Sequence, residues 1–392
     1  MLTSFALLFL LSLILGHTAK VLKLPPLIGI LLSGILLGPF VLNLISPQIL
    51  DISPDLRQVA LVVILMRAGL SLNLDELKRA GKSTLFMAFV PASFEIIGVI
   101  ILAPYLLGLS LIESALLGSV VAAVSPAVVV PKMLHLMEEK YGTNKSIPQM
   151  IVAAGSVDDV FVIVLFTLFS GTMLGDSDIS STIISLPTSI VTGLLIGIFV
   201  GYLATVYFKK FHIRDTTKVI ILLSVAFLLL AFEELISEYI ATSGLLAIMA
   251  MGGALYYFYP ILAKRLSAKF QKLWVAAEIL LFVLVGASID LSYVQNAGLS
   301  AVLLIFGCWV FRMAGVGVAL LGNKLTWKER LFCMIAYSPK ATVQAAIGSI
   351  PLAMGLPCGN IILTVAVISI IITAPLGAFG IDLTYKRLLS KE

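Results

Sequence analysis

Few residues in this chain could do chemistry, and they are oddly placed. Asp158 and Asp159 are adjacent within AAGSVDDVFVIVLF, a run that otherwise reads as hydrocarbon-soluble, and no basic residue lies within ten positions on either side. A carboxylate that holds either a proton or a small cation, but not both, couples the movement of one to the other. Two carboxylates this close do not release their protons independently. Neighbouring side chains on a helix of about 3.6 residues per turn diverge by about 100°, so one can face a cavity while the other orients or supplements it. The alternative is an aspartate pair satisfied by backbone groups at a helix break, which spends two costly acids on structure alone. Glu95 in PASFEIIG, Arg312 in CWVFRMAG and Lys340 in SPKATV are also deep in apolar runs. Ionisable groups in a bilayer are expensive, and their default reading is functional. Arg67 in LMRAGLSL stands near the end of its run, where it can snorkel, and Glu278 suits an interfacial position.

These residues must be positioned by membrane helices. Of 392 residues, 60% are hydrophobic and 12% charged, with mean hydropathy +1.11. A spanning helix needs about 20 mainly apolar residues, and such runs tile the sequence. Thirteen spans are expected near 2–22, 25–45, 56–74, 83–107, 112–136, 147–173, 183–208, 216–236, 240–261, 273–291, 298–322, 329–354 and 359–385. The first lacks a basic leader and is followed at once by another span, so it reads as a helix rather than a signal peptide. Cys308, Cys333 and Cys358 read as free thiols without metal spacing, and His17, His135 and His212 are scattered. No cofactor is expected, and the pattern is not that of an enzyme.

The net charge of +5 does not point to nucleic acid, because the bases are spread over alternate short loops. Lys20 and Lys23, then Lys78, Arg79 and Lys82, then Lys132, Lys140 and Lys145 follow odd-numbered spans. So do Lys209, Lys210, Arg214 and Lys218, the group Lys264, Arg265, Lys269 and Lys272, the group Lys324, Lys328 and Arg330, and the tail Lys386, Arg387 and Lys391. The opposite loops carry Asp51, Asp55, Asp176, Asp178, Glu234 and Glu238, with Arg57 as their base. The positive-inside rule puts the N-terminus outside and the tail in the cytoplasm.

Ser125-Pro126 in AAVSPAVVV and Ser338-Pro339 in IAYSPKATV interrupt the fifth and twelfth spans. A proline at depth removes a helix hydrogen bond and disfavours the helical form of the preceding residue. Each could be a simple kink. Yet the fifth span is fifth of a group of six, and the twelfth is fifth of a second six, with one span between them. That spacing inverts the second group relative to the first. Interrupted segments at matching positions of two inverted halves point to a transporter's binding site. Lys340, just past the second break, is expected to offset the converging carbonyl ends of the half-helices. Glu95 and Arg312, each in a fourth span of its group, are the expected ion pair. The deep charges gather in spans 4–6 and 11–13. The glycines of GLLIGIFVG, Gly193, Gly197 and Gly201, are expected to let the seventh span pack closely.

The motifs RAGLSLNLDELK, AAVSPAVVVPKML, AAGSVDDVFVIVLF, SPKATVQAAIG and ITAPLG together resemble the monovalent cation:proton antiporter superfamily. They are most similar to its paired-aspartate branch, the NHA-type sodium/proton exchangers, over about residues 60 to 380. The resemblance implies a homodimer in which a core bundle (81–175 and 296–386) moves like an elevator past a dimerisation bundle (1–80 and 215–295), joined by a linker helix at 180–211. It implies two crossed, unwound helices at Ser125-Pro126 and Ser338-Pro339-Lys340. It makes Asp159 the main cation and proton ligand, Asp158 its support, and Glu95 with Arg312 a core ion pair. Many relatives have lysine where Arg312 stands, and an acid at the first crossing where this chain has Ser125-Pro126-Ala127. Animal members carry longer termini, so the short ones here fit a prokaryotic cell membrane.

The expected function is therefore exchange of Na⁺ or Li⁺ for H⁺ through a lipid bilayer, serving pH homeostasis. A K⁺/H⁺ antiporter is the rival of the same class, since ion choice rests on cavity size. A passive cation channel is the rival of another class, opposed by the inverted repeat and the lack of a filter-like loop. With no base beside the aspartates in sequence, two protons per cation are slightly favoured over one.

Overall fold

A computed structural model describes residues 1–71, 82–174, 179–236 and 242–392, leaving out the side chains of 156, 174, 179–187, 234, 291 and 293–297. Lys78, Arg79, Asp176, Asp178 and Glu238 lie outside the described residues, as does the Glu234 side chain. The described chain is helical almost throughout. In order come α1 (Leu2–Val21), α2 (Pro26–Leu37), α3 (Pro47–Asp51), α4 (Ser53–Leu70), α5 (Lys82–Leu107), α6 (Leu111–Val121), α7 (Pro126–Glu138), α8 (Ile147–Leu174) and α9 (Ile179–Lys210). Then follow α10 (Asp215–Ile236), α11 (Gly244–Phe258), α12 (Pro260–Ala287), α13 (Leu291–Ala319), α14 (Trp327–Ala336), α15 (Thr342–Ile347), α16 (Ile350–Ala353) and α17 (Gly359–Leu388).

Among the described residues nine helical stretches, counting 111–138 as one, are long and apolar enough to cross a membrane. The protein is an integral, multi-pass membrane protein. The other four expected spans coincide with α2, α4, α11 and the run α14–α16, which are shorter, more charged or broken. At 12 residues, α2 is about 18 Å long, less than the roughly 30 Å hydrocarbon core. It stops early because Gly38 precedes Pro39, and Gly38 is extended (ψ 170°), as a residue before proline prefers. The opposite difference occurs at α12. Its first residue is Pro260, a favoured first helical position for proline, not a residue near 273. Lys264, Arg265, Lys269 and Lys272 therefore sit on helix rather than loop, among residues of good helix propensity.

By packing, the chain divides into two compact units. One comprises Leu56–Leu74 and Ile163–Glu278. Within it α9 lies on α11. A Cβ at Gly193, Gly197 or Gly201 would come within 2.7, 2.3 and 2.6 Å of the carbonyl oxygens of Ser243, Ala247 and Met251, so only glycine permits this approach. Arg67 and Glu278, expected as separate interfacial groups, interact electrostatically in this unit.

The other unit comprises Met1–Asp55, Asp75–Val162 and Ile279–Glu392. Here α5 packs along α13, and α14 and the end of α17 lie on a buried cluster including Met133, Ile151, Phe332, Tyr337 and Leu389. A polar clasp closes one end. Lys132 pairs with Asp382 at 2.5 Å, and Tyr385 donates its hydroxyl hydrogen to Glu139 at 2.9 Å. Gly142 N donates to Ser390 O at 2.9 Å and Glu392 N to Lys140 O at 3.0 Å. Lys145 reaches Glu329 at 2.8 Å. The clasp ties the turn between α7 and α8 to the ends of α14 and α17.

Candidate functional site

Both Ser-Pro segments break their helices. The first span stops at Val121, runs without helix through 122–125, and restarts with Pro126 at the first helical position and Ser125 as N-cap. The second stops at Ala336 and restarts only at Thr342. The two breaks meet: Ser125 N donates to Pro339 O at 2.7 Å, and Thr342 N to Ser125 Oγ at 3.4 Å. Room for Pro339 comes from Gly377 of α17, where a Cβ would fall 2.3 Å from the proline ring.

A break at depth leaves carbonyls at the end of each first half-helix without helical partners, and they need donors. Arg312 supplies them. Its Nε donates to Tyr337 O at 2.5 Å, and Nη1 donates to Ala122 O. Tyr337 and Ala122 are the C-caps of α14 and α6. Arg312 also pairs with Glu95 at 2.8 Å and with Asp158 Oδ2 at 3.5 Å. Sequence reasoning assigned the half-helix ends to Lys340. The structure corrects this: the Lys340 ammonium reaches Glu95 instead, at 2.7 Å. The longer, forked guanidinium is the group that can serve two carbonyls and two carboxylates at once. Lys340 contributes to the crossing through its backbone, whose N–H donates to Thr373 Oγ1 at 3.1 Å.

Asp158 and Asp159, both from α8, differ sharply. Asp158 is fully buried, and its Oδ2 accepts from Val124 N at 2.7 Å besides facing Arg312. Asp159 remains 9% exposed. No ion pair reaches it among the described residues, and its buried Oδ1 has no hydrogen-bond partner among them. Lys340, Glu95, Arg312 and Asp158 thus form a chain of charges in that order, and Asp159 follows Asp158 outside it.

Three participants carried no signal that sequence reasoning used. Gln344 Nε2 donates to Ala123 O at 2.9 Å and Val121 O at 3.3 Å, supporting the first break. Trp309 Nε1 donates to Ser338 Oγ at 2.6 Å. Tyr337 lies under Arg312, with its ring centroid 5.0 Å from Cζ. The amide in SPKATVQAAIG was visible as a polar residue in an apolar run, but its targets are main-chain atoms of a distant segment.

Comparison with known proteins gives a consistent answer. A family model described as sodium/hydrogen exchanger, transmembrane, matches residues 6–386. Sodium/hydrogen exchanger 9B2 of Mus musculus is 33% identical over 405 residues, an alignment covering 94% of this chain and 69% of that protein. The human protein of the same name is 33% identical over 398 residues, covering 94% and 70%. The structure of the sodium proton antiporter MjNhaP1 from Methanocaldococcus jannaschii at pH 8 superposes with TM-score 0.83 at 22% identity, covering 99% of each chain. That likeness is one of fold.

Proposed function

We propose that this chain, which belongs to the sodium/hydrogen exchanger family, exchanges Na⁺ or Li⁺ for H⁺, with Asp159 holding cation and proton in turn and Asp158 supporting it. The family is one of transporters, not enzymes. The observation that carries the reading is charge balance. Formally, Glu95 and Asp158 offset Arg312 and Lys340 within their ion pairs. Asp159 is the excess negative charge, buried to all but 9% and without an ion pair among the described residues. One proton or one monovalent cation neutralises it, and either excludes the other.

The same balance favours one proton per cation over two. The sequence argument for two rested on the lack of a base near the aspartates. In space Arg312 and the Val124 amide engage Asp158, which leaves Asp159 as the exchanging acid. Arginine does not give up its proton at physiological pH, so Arg312 adds no second carrier.

The cycle requires alternating access. Thirteen crossings arranged as two inverted groups of six, with a core bundle moving like an elevator past a dimerisation bundle in a homodimer, supply it. A multi-pass cell membrane of a prokaryote, N-terminus outside and C-terminus cytoplasmic, is the setting proposed. K⁺/H⁺ exchange at the same site is the alternative within the class, and a passive cation channel the alternative outside it.

The experiment is proton flux in proteoliposomes on addition of Na⁺, Li⁺ or K⁺. Asp159→Asn abolishes flux while the protein stays folded, and Asp158→Asn impairs it with residual transport. Wild-type rates in Asp159→Asn overturn the site assignment. Because protons compete with the cation, the apparent KM for Na⁺ rises as pH falls. Under opposing Na⁺ and proton gradients, the zero-flux point does not move when potassium and valinomycin set the potential. A moving point means more than one proton per cation, and cation current without counter-moving protons means a channel.

A further inference from the structure

Tyr337 is held more tightly to the charged crossing than an apolar filler needs to be. It ends α14 at the second break. Its carbonyl takes the Arg312 Nε hydrogen at 2.5 Å, and its ring sits 5.0 Å from the same guanidinium. The residue is 0% exposed, in a cluster that also holds Val124, whose N–H binds Asp158, and Ala154, one helical turn before Asp158. Its hydroxyl is buried with no hydrogen-bond partner among the described residues. A buried phenol usually finds one.

The missing partners are nearby. Asp158 Oδ1 and Asp159 Oδ1 are likewise buried and unpartnered, and the guanidinium that holds the phenol ring at 5.0 Å also pairs with Asp158 at 3.5 Å. One unused donor and two unused acceptors thus share one buried region, in a site whose other charges are paired with one another. A phenolic oxygen also carries lone pairs. A small cation that sheds water needs oxygen ligands, and a neutral oxygen supplies one without disturbing a site already one negative charge in excess.

We propose that the Tyr337 hydroxyl is a neutral oxygen ligand of the transported cation, turning its O–H onto Asp159 Oδ1 when the cation leaves. It rests on the reading of Asp159 as the exchanging acid. The ring's contact with Arg312 keeps the oxygen in the buried region of the aspartates, and a small shift of the side chain that brings the hydroxyl within hydrogen-bond reach switches it between the two roles. No bond other than hydrogen bonds and ion–oxygen contacts changes.

Tyr337→Phe keeps the ring on Arg312 and removes only the oxygen. The expected result in proteoliposomes is a rise of about tenfold in the apparent KM for Na⁺, the scale of one lost hydrogen-bond-strength contact, with maximal rate largely kept and the pH profile of KM displaced. A Tyr337→Phe protein with wild-type KM and pH profile overturns the proposal, and so does one that loses only thermal stability. Asp159→Asn is assayed beside it. If Asp159→Asn is inactive and Tyr337→Phe is unchanged, the tyrosine proposal alone fails. If Asp159→Asn is active, the reading of the site fails. Should Tyr337→Phe not fold, the wild-type protein carries the test: infrared difference spectra on Na⁺ addition show a tyrosine C–O band that ring-deuterated tyrosine displaces. No such band overturns the proposal.

Discussion

The charged crossing and the polar clasp belong to the same packed unit, use the same kinds of residue and have similar nitrogen–oxygen distances. Glu95 lies 2.8 Å from Arg312 and 2.7 Å from Lys340, while Lys132 lies 2.5 Å from Asp382 and Lys145 2.8 Å from Glu329. Distance does not rank them. Burial does: the side chains of the first two pairs are 0–4% exposed, whereas Lys132 and Asp382 are 31% and 45% exposed. Exposed pairs contribute about 0–1 kcal/mol, because water already solvates both ends. A buried network contributes little net stability over an apolar core, yet removing one member strands the rest at about 3–5 kcal/mol. The crossing is therefore a positioning device that fails abruptly when cut, and the clasp one that loosens gradually.

The sharpest way to break the comparison is Glu95→Ala. It strands Lys340 and leaves Arg312 with Asp158 as its remaining carboxylate, so a loss on the order of 3–5 kcal/mol is expected, read as a large drop in melting temperature in detergent. The double change Glu95→Ala with Arg312→Ala recovers part of that loss. The recovery stays incomplete, since Lys340 remains unpaired and the carbonyls of Ala122 and Tyr337 lose their donor. A strictly additive double mutant would show that the pair is not energetically coupled.

What sequence could see follows the same division. Asp158, Asp159, Glu95 and Arg312 stand out because a charge in an apolar run is visible without its partner. The breaks are visible because proline acts on its own backbone and on the residue before it. Arg312's grip on two carbonyls was not legible, since main-chain acceptors have no residue type to read. That omission sent the half-helix ends to Lys340. The Glu95–Lys340 contact was hidden because one carboxylate can serve two bases, and pairing by matched position assigns only one. Tyr337 and Trp309 look like ordinary apolar filler until their polar atoms are located. The length of α2 and the start of α12 were misjudged because hydropathy marks where a membrane is entered, not where a helix begins.

An intermediate effect is expected at Glu329, which belongs to the clasp by partner and to the interior by burial. One oxygen, Oε2, accepts from Thr326 N at 2.6 Å, Thr326 Oγ1 at 2.9 Å and Lys145 Nζ at 2.8 Å. Thr326 in turn caps the N-terminus of α14, the half-helix that ends in the second break. Glu329→Ala removes half of a capping box and is expected to cost about 1 kcal/mol, within the range for lost caps. Na⁺ affinity should be little changed, because the loss falls at the far end of α14. A drop as large as that of Glu95→Ala, in a side-by-side melt, would mean that burial of one partner alone makes a pair costly to cut, even with Lys145 34% exposed.

The smallest effect is expected at Asp382. Asp382→Asn keeps the size of the side chain and removes the charge facing Lys132. Both groups are about a third or more exposed, so water and salt replace most of what is lost, and a change within about 1 kcal/mol is expected. The informative quantity is its salt dependence. At low ionic strength the screening length is about 30 Å at 0.01 M, and near 0.1 M it falls to about 10 Å. The melting difference between wild type and Asp382→Asn should therefore shrink as salt is added, while that of Glu95→Ala should barely move, since ions do not reach a pair buried to 0–1% exposure. Na⁺/H⁺ exchange by Asp382→Asn should match wild type if the clasp holds only the turn between α7 and α8. A salt-insensitive loss at Asp382, or a shifted KM for Na⁺, would instead place the clasp in the transport cycle, coupled to Asp159 through α8.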